Sequence, residues 1–212
     1  MNLLDKATTF ATLSHTAMKT LGRRRQVRYQ LAEEHGQFLA TRSRGAQVQE
    51  ALMAALRDTP EGDHLVIDFV GVEDVTVSFV DESLGGLLGK RSNDETLSAR
   101  GIALTELNPD CRDTLDAVLK RRESAMVVVR PDTDELEIVG DRRWGWMPDT
   151  LAAARRLKEF RANDLADELA LTPQASNNRL RQLVASGAVA RQRVVPEGGG
   201  KEFQYRIQIL DV

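Results

Sequence analysis

The sequence has few of the residues that mark disulfide-rich, metal-binding or membrane proteins. Cys111 is the single cysteine among 212 residues, which excludes an internal disulfide framework and a cysteine-rich metal site. The longest uninterrupted apolar run covers residues 51–56, far below the roughly 18 residues that a membrane span requires. No basic patch leads into an apolar stretch at the N-terminus, so no secretory signal is visible. We therefore expect a soluble, cytoplasmic protein.

Residues suited to catalysis are also scarce. The three histidines, His15, His35 and His64, fall in separate predicted elements. The sequence contains no phosphate-binding loop and no metal-ligand spacing. Cys111 opens a predicted helix, but a lone thiol in that position usually serves packing. We expect no enzyme activity and no cofactor.

The composition is that of a globular protein, and the net charge differs between the N-terminal and C-terminal parts of the chain. Hydrophobic residues make up 42% and charged residues 29% of the chain, close to the globular average. Residues 1–147 carry a net charge of −5 and residues 148–212 a net charge of +2. The change coincides with a stretch in which Pro148 should disfavour a helical conformation at Met147. We predict an N-terminal helical segment at 1–21, one domain at 22–140 and a second at 148–212.

The N-terminal segment has the spacing of an amphipathic helix over residues 3–21. Its apolar stripe suits packing against the domain behind it or a homodimer contact with a second copy of the chain. Arginines follow at positions 23–25 and 28. They suit contact with nucleic acid or an acidic partner, or form an ordinary solvated surface.

Residues 22–140 alternate between strand and helix patterns. Short apolar or β-branched runs predict strands at 65–69, 102–104, 126–129 and 136–139. Helical spacing precedes and separates them, for example at 45–57 and around Leu84, Leu87 and Leu88. The alternation predicts an α/β layer architecture.

Residues 66–88 combine a buried strand, an acidic residue and a polar loop that leads into a helix. Such a junction is where an open α/β sheet exposes a binding surface. The stretch resembles the STAS domain of anti-anti-sigma factors, in the STAS-like variant with a Phe-Ala-Asp-Glu-type motif. The motif here is Ser78-Phe79-Val80-Asp81-Glu82. The order of elements over residues 27–129 also agrees with that family, which implies a mixed sheet with helices.

The resemblance implies a surface that binds a protein partner. In the anti-anti-sigma proteins, a histidine-kinase-like ATPase phosphorylates a serine in the loop before this helix. Aligned on the Leu-Gly at 84–85, Asp81 and Glu82 take the place of the serine pair, which gives a charge that cannot be toggled. The predicted partner-binding residues are Ser78, Asp81, Glu82 and Ser83. A plainer interpretation remains open, in which the two acids only stabilise the start of a helix.

Residues 148–212 show three helical faces and then two extended runs around a glycine-rich tip. Thr172 suits an N-cap before Pro173, and Gly187 suits a C-terminal cap. The stretch at 171–189 resembles the recognition-helix region of bacterial winged-helix transcriptional regulators, which implies a small winged helix-turn-helix domain. Its outward residues suit contacts with bases and phosphates. The predicted DNA-binding residues are Gln174, Asn177, Asn178, Arg181, Arg191, Arg193 and Lys201.

These features predict a bacterial, DNA-binding transcriptional regulator whose STAS-like domain receives a partner or signal. The expected partners are double-stranded DNA and a protein of the histidine-kinase-like ATPase class, with no membrane contact. A homodimer is expected because most such proteins read paired half-sites. The alternative is an anti-anti-sigma-like adaptor without DNA activity, since a net charge of +2 is low for a DNA reader.

Overall fold

The computed structural model describes residues 27–130, 132–133, 135–141, 145–195 and 202–207. The predicted helix at 3–21, its suggested homodimer contact, the arginines at 23–25 and Lys201 lie outside the described residues.

A mixed sheet forms the centre of the described part. Its strands lie side by side in the order β1 (Val27–Gln30), β3 (His64–Asp68), β5 (Gly101–Thr105), β6 (Ala125–Arg130) and β7 (Glu135–Gly140). The first four run parallel, and β7 pairs antiparallel with β6. Two short strands, β2 (Phe38–Leu39) and β4 (Asp74–Val75), form a separate parallel pair. The predicted mixed α/β class is confirmed.

Helices cover the first face of this sheet. They are α1 (Leu31–His35), α2 (Arg42–Asp58), α3 (Val77–Val80), α4 (Gly86–Ser92), α5 (Glu95–Ser98) and α6 (Pro109–Arg121). A π-helical turn, Asp81–Gly85, joins α3 to α4, so residues 77–92 form one continuous helix, which we call the central helix. Ile67 of β3 lies in one buried cluster with Leu52 of α2, Leu84 of the central helix and Leu115 of α6.

The C-terminal residues add a second group of elements. These are α7 (Met147–Leu157), β8 (Glu159–Phe160), α8 (Ala162–Glu168), α9 (Pro173–Ala185), β9 (Ala190–Val194) and β10 (Glu202–Arg206). The strands form an antiparallel sheet in the order β8-β10-β9. Thr172 Oγ1 accepts a hydrogen bond from the Ala175 amide at 3.2 Å, and Pro173 begins α9. The cap and the proline position predicted from the sequence are confirmed.

The second face of the central sheet packs against these C-terminal elements. Val127 and Val129 of β6 share a buried cluster with Leu151 of α7 and Leu183 of α9. The alternate β6 residues belong to the first cluster, so both faces of this strand are covered and its residues 125–129 are all apolar. The second cluster therefore contains residues from both sides of the predicted domain boundary.

Two helices begin earlier than the sequence indicated. The polar loop expected before Leu84 is largely helical, because Thr76 Oγ1 accepts a hydrogen bond from the Phe79 amide and the Phe79 side chain is buried. Helix α7 begins at Met147, although Pro148 was expected to disfavour a helix there. A proline in the first turn removes only an amide hydrogen that has no partner within the helix. No helix in the described part is long and apolar enough to cross a membrane.

Candidate functional site

The central helix is distorted at the residues predicted to bind a partner. Asp81–Gly85 form a π-helical turn, a feature that occurs often at functional sites. The Glu82 carbonyl accepts a hydrogen bond from Gln49 Nε2 of α2 at 2.9 Å. The side chain of a neighbouring helix therefore satisfies a main-chain group within the wider turn.

Glycines bring α2 close to this turn. A Cβ atom on Gly45 of α2 would lie 2.7 Å from the Phe79 carbonyl oxygen, and one on Gly86 would overlap Gln49 Nε2. Larger residues would push the two helices apart and would remove the hydrogen bond between Gln49 and Glu82. Gly45 and Gly86 thus allow the contact that satisfies the π-helical turn.

Asp81 is held by two arginines from the end of α6. Its Oδ1 lies 2.7 Å from Arg122 Nε and 3.0 Å from Arg121 Nη2, and Arg122 Nη2 also donates to the Asp81 carbonyl at 3.0 Å. The hydrogen bond from Arg122 is the main cause that lowers the Asp81 pKa below its usual value. The carboxylate is therefore ionised at neutral pH and has its own partners inside the protein. Glu82 faces a weaker partner, Arg42 Nε at 3.8 Å.

The two predicted serines lie in different environments. Ser83 is fully buried, and its hydroxyl donates to the Phe79 carbonyl at 2.7 Å. Ser78 is the second residue of α3 and is half-buried, with its Oγ 3.4 Å from Thr76 Oγ1. Of this pair, Ser78 is the one that a partner or a modifying enzyme can reach in the folded protein.

Exposed apolar side chains occur near the start of the central helix. Val77 is 45% exposed, Phe38 of β2 is 68% exposed and Val70, after β3, is 51% exposed. The β2–β4 pairing and the bond from the Thr76 amide to the Leu39 carbonyl place β2 beside this helix start. Exposed apolar residues next to polar ones are typical of a protein-binding surface.

Asp68, the acidic residue at the end of β3, has a structural environment. It is 1% exposed and accepts hydrogen bonds from Arg28 at 3.2 Å and from the Val70 amide at 2.9 Å. Its charge is therefore matched by Arg28, and its second oxygen stabilises the turn after the strand. The same ion pair gives Arg28 a role within the fold.

The exposed face of α9 carries the residues that the sequence predicted to contact DNA. Gln174, Asn177, Asn178 and Arg181 are exposed, whereas Leu180 and Leu183 are buried. The three amides are partly occupied within the helix: Gln174 Nε2 donates to Asn178 Oδ1 at 3.2 Å and Asn177 Nδ2 donates to the Pro173 carbonyl at 2.9 Å. Both bonds lie on the surface, where a ligand can replace them.

The predicted cations of the β9–β10 hairpin differ in position. Arg193 is exposed. The Arg191 guanidinium lies 4.8 Å from the centre of the Phe203 ring and 3.5 Å from Ser98 Oγ, so it packs towards α5. Arg191 is thus engaged within the protein, and Lys201 is not among the described residues.

The turn that follows α9 is attached to the central sheet by contacts that were not predicted from the sequence. The Ile102 amide donates to the Gly187 carbonyl at 2.8 Å, and His64 Nε2 lies 2.9 Å from the Ala188 carbonyl. Arg91 of α4 donates to the Val184 and Val189 carbonyls. A signal for Arg91 was present, because it follows Leu84 by seven residues and Leu87 by four and so falls on the buried stripe of its helix.

Comparison with known families agrees with the geometry of the central helix. Residues 47–109 match the family model of a STAS-like domain of unknown function (DUF4325). The matched range runs from within α2 to the start of α6 and includes Ser78, Asp81 and Glu82. Neither the curated proteins nor the solved structures gave a match. The STAS-like assignment is confirmed for these residues.

Proposed function

We propose that this protein is a regulator in which residues 147–207 form a winged helix that binds double-stranded DNA, while the STAS-like part receives a protein partner. The order helix, strand, helix, helix and hairpin supports the winged helix, as does the antiparallel β8-β10-β9 sheet. In this interpretation α8 and α9 form the helix-turn-helix, and α9 is the recognition helix.

The observation that carries the DNA interpretation is the polar face of α9. Amide side chains can bridge adenine edges, and arginine can bind guanine or phosphate. The described surface of α9 carries these groups at positions 174, 177, 178 and 181, and its sequence has no acidic residue that would repel phosphate. The C-terminal end of the helix is held by Arg91 of α4, and the turn after it is held by the Ile102 amide of the central sheet. Residues 172–174, 177 and 178 at the start of the helix are exposed, as groove insertion requires.

The two exposed arginines are placed for different contacts with DNA. Arg181 lies on the recognition helix and Arg193 on the hairpin, and both are exposed. Arg181 suits a base or nearby phosphate, whereas Arg193 suits a flanking phosphate that carries no sequence information. Arg191 is left out of this contact set because Phe203 and Ser98 already engage it.

The partner surface is proposed at the start of the central helix. The exposed Phe38 and Val77 supply apolar area, Ser78 a reachable hydroxyl, and Asp81 and Glu82 carboxylates next to arginines. A partner of the histidine-kinase-like ATPase class is the one that the STAS-like resemblance implies. In this proposal the protein acts by binding rather than by catalysis. The one cysteine agrees with this: burial raises the pKa of the Cys111 thiol to about 11, so the thiol is protonated at neutral pH and is not an available nucleophile.

The test is a salt titration of binding to random-sequence duplex DNA, followed by sequencing of the retained duplexes. We expect affinity to fall steeply as salt rises and a motif to be enriched. Enrichment of a palindrome would also support a homodimer on two half-sites. Absence of binding at low salt would refute the DNA function.

Three variants sharpen this experiment. Arg181→Ala should weaken binding to the enriched motif by roughly 1–3 kcal/mol, with less effect on unrelated duplexes. Arg193→Ala should weaken binding to all duplexes and reduce the salt slope by about 1. Arg57→Ala is the matched control, because it removes an exposed arginine from α2 in the other part of the protein. Equal behaviour of all three variants would place the DNA contact elsewhere.

The alternative is a docking module for a second protein, without DNA activity. The engagement of Arg191 within the protein favours it, since this leaves fewer cations for phosphate. In that case the same titration gives no binding, and the α9 face becomes a second protein-binding surface.

A further inference from the structure

The central helix connects the two surfaces of the proposed function. Its first turns carry Ser78 and Asp81, on the proposed partner surface, and its last turn carries Arg91. Arg91 in turn contacts the end of the proposed recognition helix. The π-helical turn begins at Asp81 and ends at Gly85, so it lies between Ser78 and Arg91.

Arg91 is a fully buried cation that binds main-chain carbonyls. Its Nε and Nη2 donate to the Arg100 carbonyl at 2.9 and 2.6 Å, and Nη2 also lies 3.0 Å from the Val189 carbonyl. Its Nη1 donates to the Val184 carbonyl. The hydrogen-bond acceptors of Arg91 within the described part of the chain are main-chain carbonyls, so its orientation depends both on the turn between α5 and β5, which supplies the Arg100 carbonyl, and on the α9–β9 turn.

The two carbonyls at Val184 and Val189 lie on either side of that turn. Val184 belongs to the last turn of α9, where the helix dipole favours a positive charge, and Val189 directly precedes β9. The planar guanidinium holds several acceptors in fixed directions, which a lysine ammonium cannot do. Arg91 therefore sets the distance between the central helix and the base of both proposed DNA-contacting elements.

The π-helical turn is the place where the central helix can change its register. Helix shifts of about 1–2 Å are a common form of conformational switching. Gln49 satisfies the Glu82 carbonyl at this turn, and Arg122 and Arg121 hold Asp81 beside it. A partner that competes for these groups changes the balance between the π-helical and α-helical forms, because it binds one of them more tightly. A shift of that size exceeds the tolerance of the Arg91 hydrogen bonds.

We propose that Arg91 is the positioning residue through which the central helix transmits partner binding at its first turns to the recognition helix α9. The biological role of this coupling rests on the proposed function. The coupling between the first turns of the central helix and the α9–β9 turn is a property of this chain and is testable without DNA or a partner. A partner acts on the contacts of Asp81 and Gln49, and the resulting shift changes the position of the turn between α9 and β9.

The experiment mimics a partner by removing the contacts of the π-helical turn in the full-length chain. Asp81→Asn and Gln49→Leu are each compared with wild type by amide hydrogen exchange and by the NMR signal of the Arg91 Nε–H group, which burial protects from solvent. We expect both variants to shift the Arg91 signal and to change exchange at residues 183–190 at least fivefold. Lys90→Gln is the matched control: it removes a charge from the residue next to Arg91, but one that pairs with Glu50 on the surface, and should leave both readouts unchanged.

The decisive comparison uses Arg91→Lys, which keeps the charge and loses the planar fork. In this background Asp81→Asn should no longer change exchange at residues 183–190, although residues 77–85 still respond. If Arg91→Lys folds poorly, the test uses the Arg91 Nε–H signal alone, which is compared between wild type and Asp81→Asn. An unchanged Arg91 signal in Asp81→Asn, or a larger response to Lys90→Gln than to Asp81→Asn, would overturn the proposal. If the exchange and NMR experiments show the coupling but the separate DNA titration shows no binding, the DNA function is refuted and the coupling is still supported.

Discussion

His64 should make the stability of this protein depend on pH between about 6.5 and 4. The imidazole is fully buried, and its Nε2 donates to the Ala188 carbonyl, while Nδ1 has no hydrogen-bond partner in the described part of the chain. Burial is the main cause that lowers its pKa from 6.5 to about 4; the hydrogen bond to the Ala188 carbonyl raises the pKa, and the charges of Arg91 and Arg206 lower it. The neutral form is therefore the one that fits the folded protein.

The direction and the size of this pH effect on the free energy of unfolding follow from proton linkage. Below pH 6.5 the unfolded chain binds a proton at His64 that the folded chain does not accept until about pH 4. The stabilisation is therefore complete above pH 6.5 and is lost as the pH falls towards 4. At about 1.4 kcal/mol for each pH unit between the two pKa values, the loss reaches about 3 kcal/mol at pH 4.

Urea unfolding measured from pH 7.5 to pH 4 tests this, with His64→Gln as the comparison. Other histidines and the carboxylates titrate in both proteins, so the difference between the two curves isolates His64. Wild type should lose about 3 kcal/mol more than His64→Gln over this range. Parallel curves would refute the burial of a neutral imidazole at the contact between the sheet and the α9–β9 turn.

Three further predictions use other contacts. Gly86→Ala should destabilise the protein because its methyl group displaces Gln49 Nε2, whereas Gly89→Ala, which meets open space, should stabilise it by about 1 kcal/mol; urea unfolding distinguishes the two, and equal signs would contradict the close packing. Cys111 should react with a thiol reagent only at the rate of unfolding, because it is buried and its thiol is protonated; rapid labelling in native buffer would contradict this. Leu151→Ala should cost about 2–5 kcal/mol and lower one common thermal transition, since its cluster includes the central sheet; a shift confined to a separate C-terminal transition would show that the two parts unfold independently.

The sequence predicted the elements whose patterns are strong and local. The strand at 126–129 and the helix at 45–57 are present because their apolar spacing matches one period over several residues. The cap at Thr172 and the exposed polar residues of α9 followed from the same local chemistry. Such features depend on a few neighbouring residues, so a single sequence is enough to find them.

Features that depend on distant contacts were missed. The early start of the central helix at Val77 depends on burial of Phe79 against the core, and the π-helical turn depends on Gln49, which lies 33 positions from Glu82. Arg91 was not singled out from the sequence, because two of its acceptors, the Val184 and Val189 carbonyls, lie more than 90 positions away. The predicted role of Arg191 failed to anticipate its contact with Ser98 for the same reason.

The environment of Asp81 limits how the proposed partner surface can be switched. A phosphoserine adds and removes close to two charges, but the Asp81 carboxylate carries one charge that Arg121 and Arg122 keep ionised by lowering its pKa. The hydroxyl of Ser83 is buried and bonded to Phe79, so it offers no replacement. A switch at this surface therefore depends on whether the partner is bound, on competition for the Asp81–arginine contacts, or on modification of Ser78. Each of these acts on the first turns of the central helix or on the first residue of its π-helical turn, towards the end of the helix opposite to Arg91.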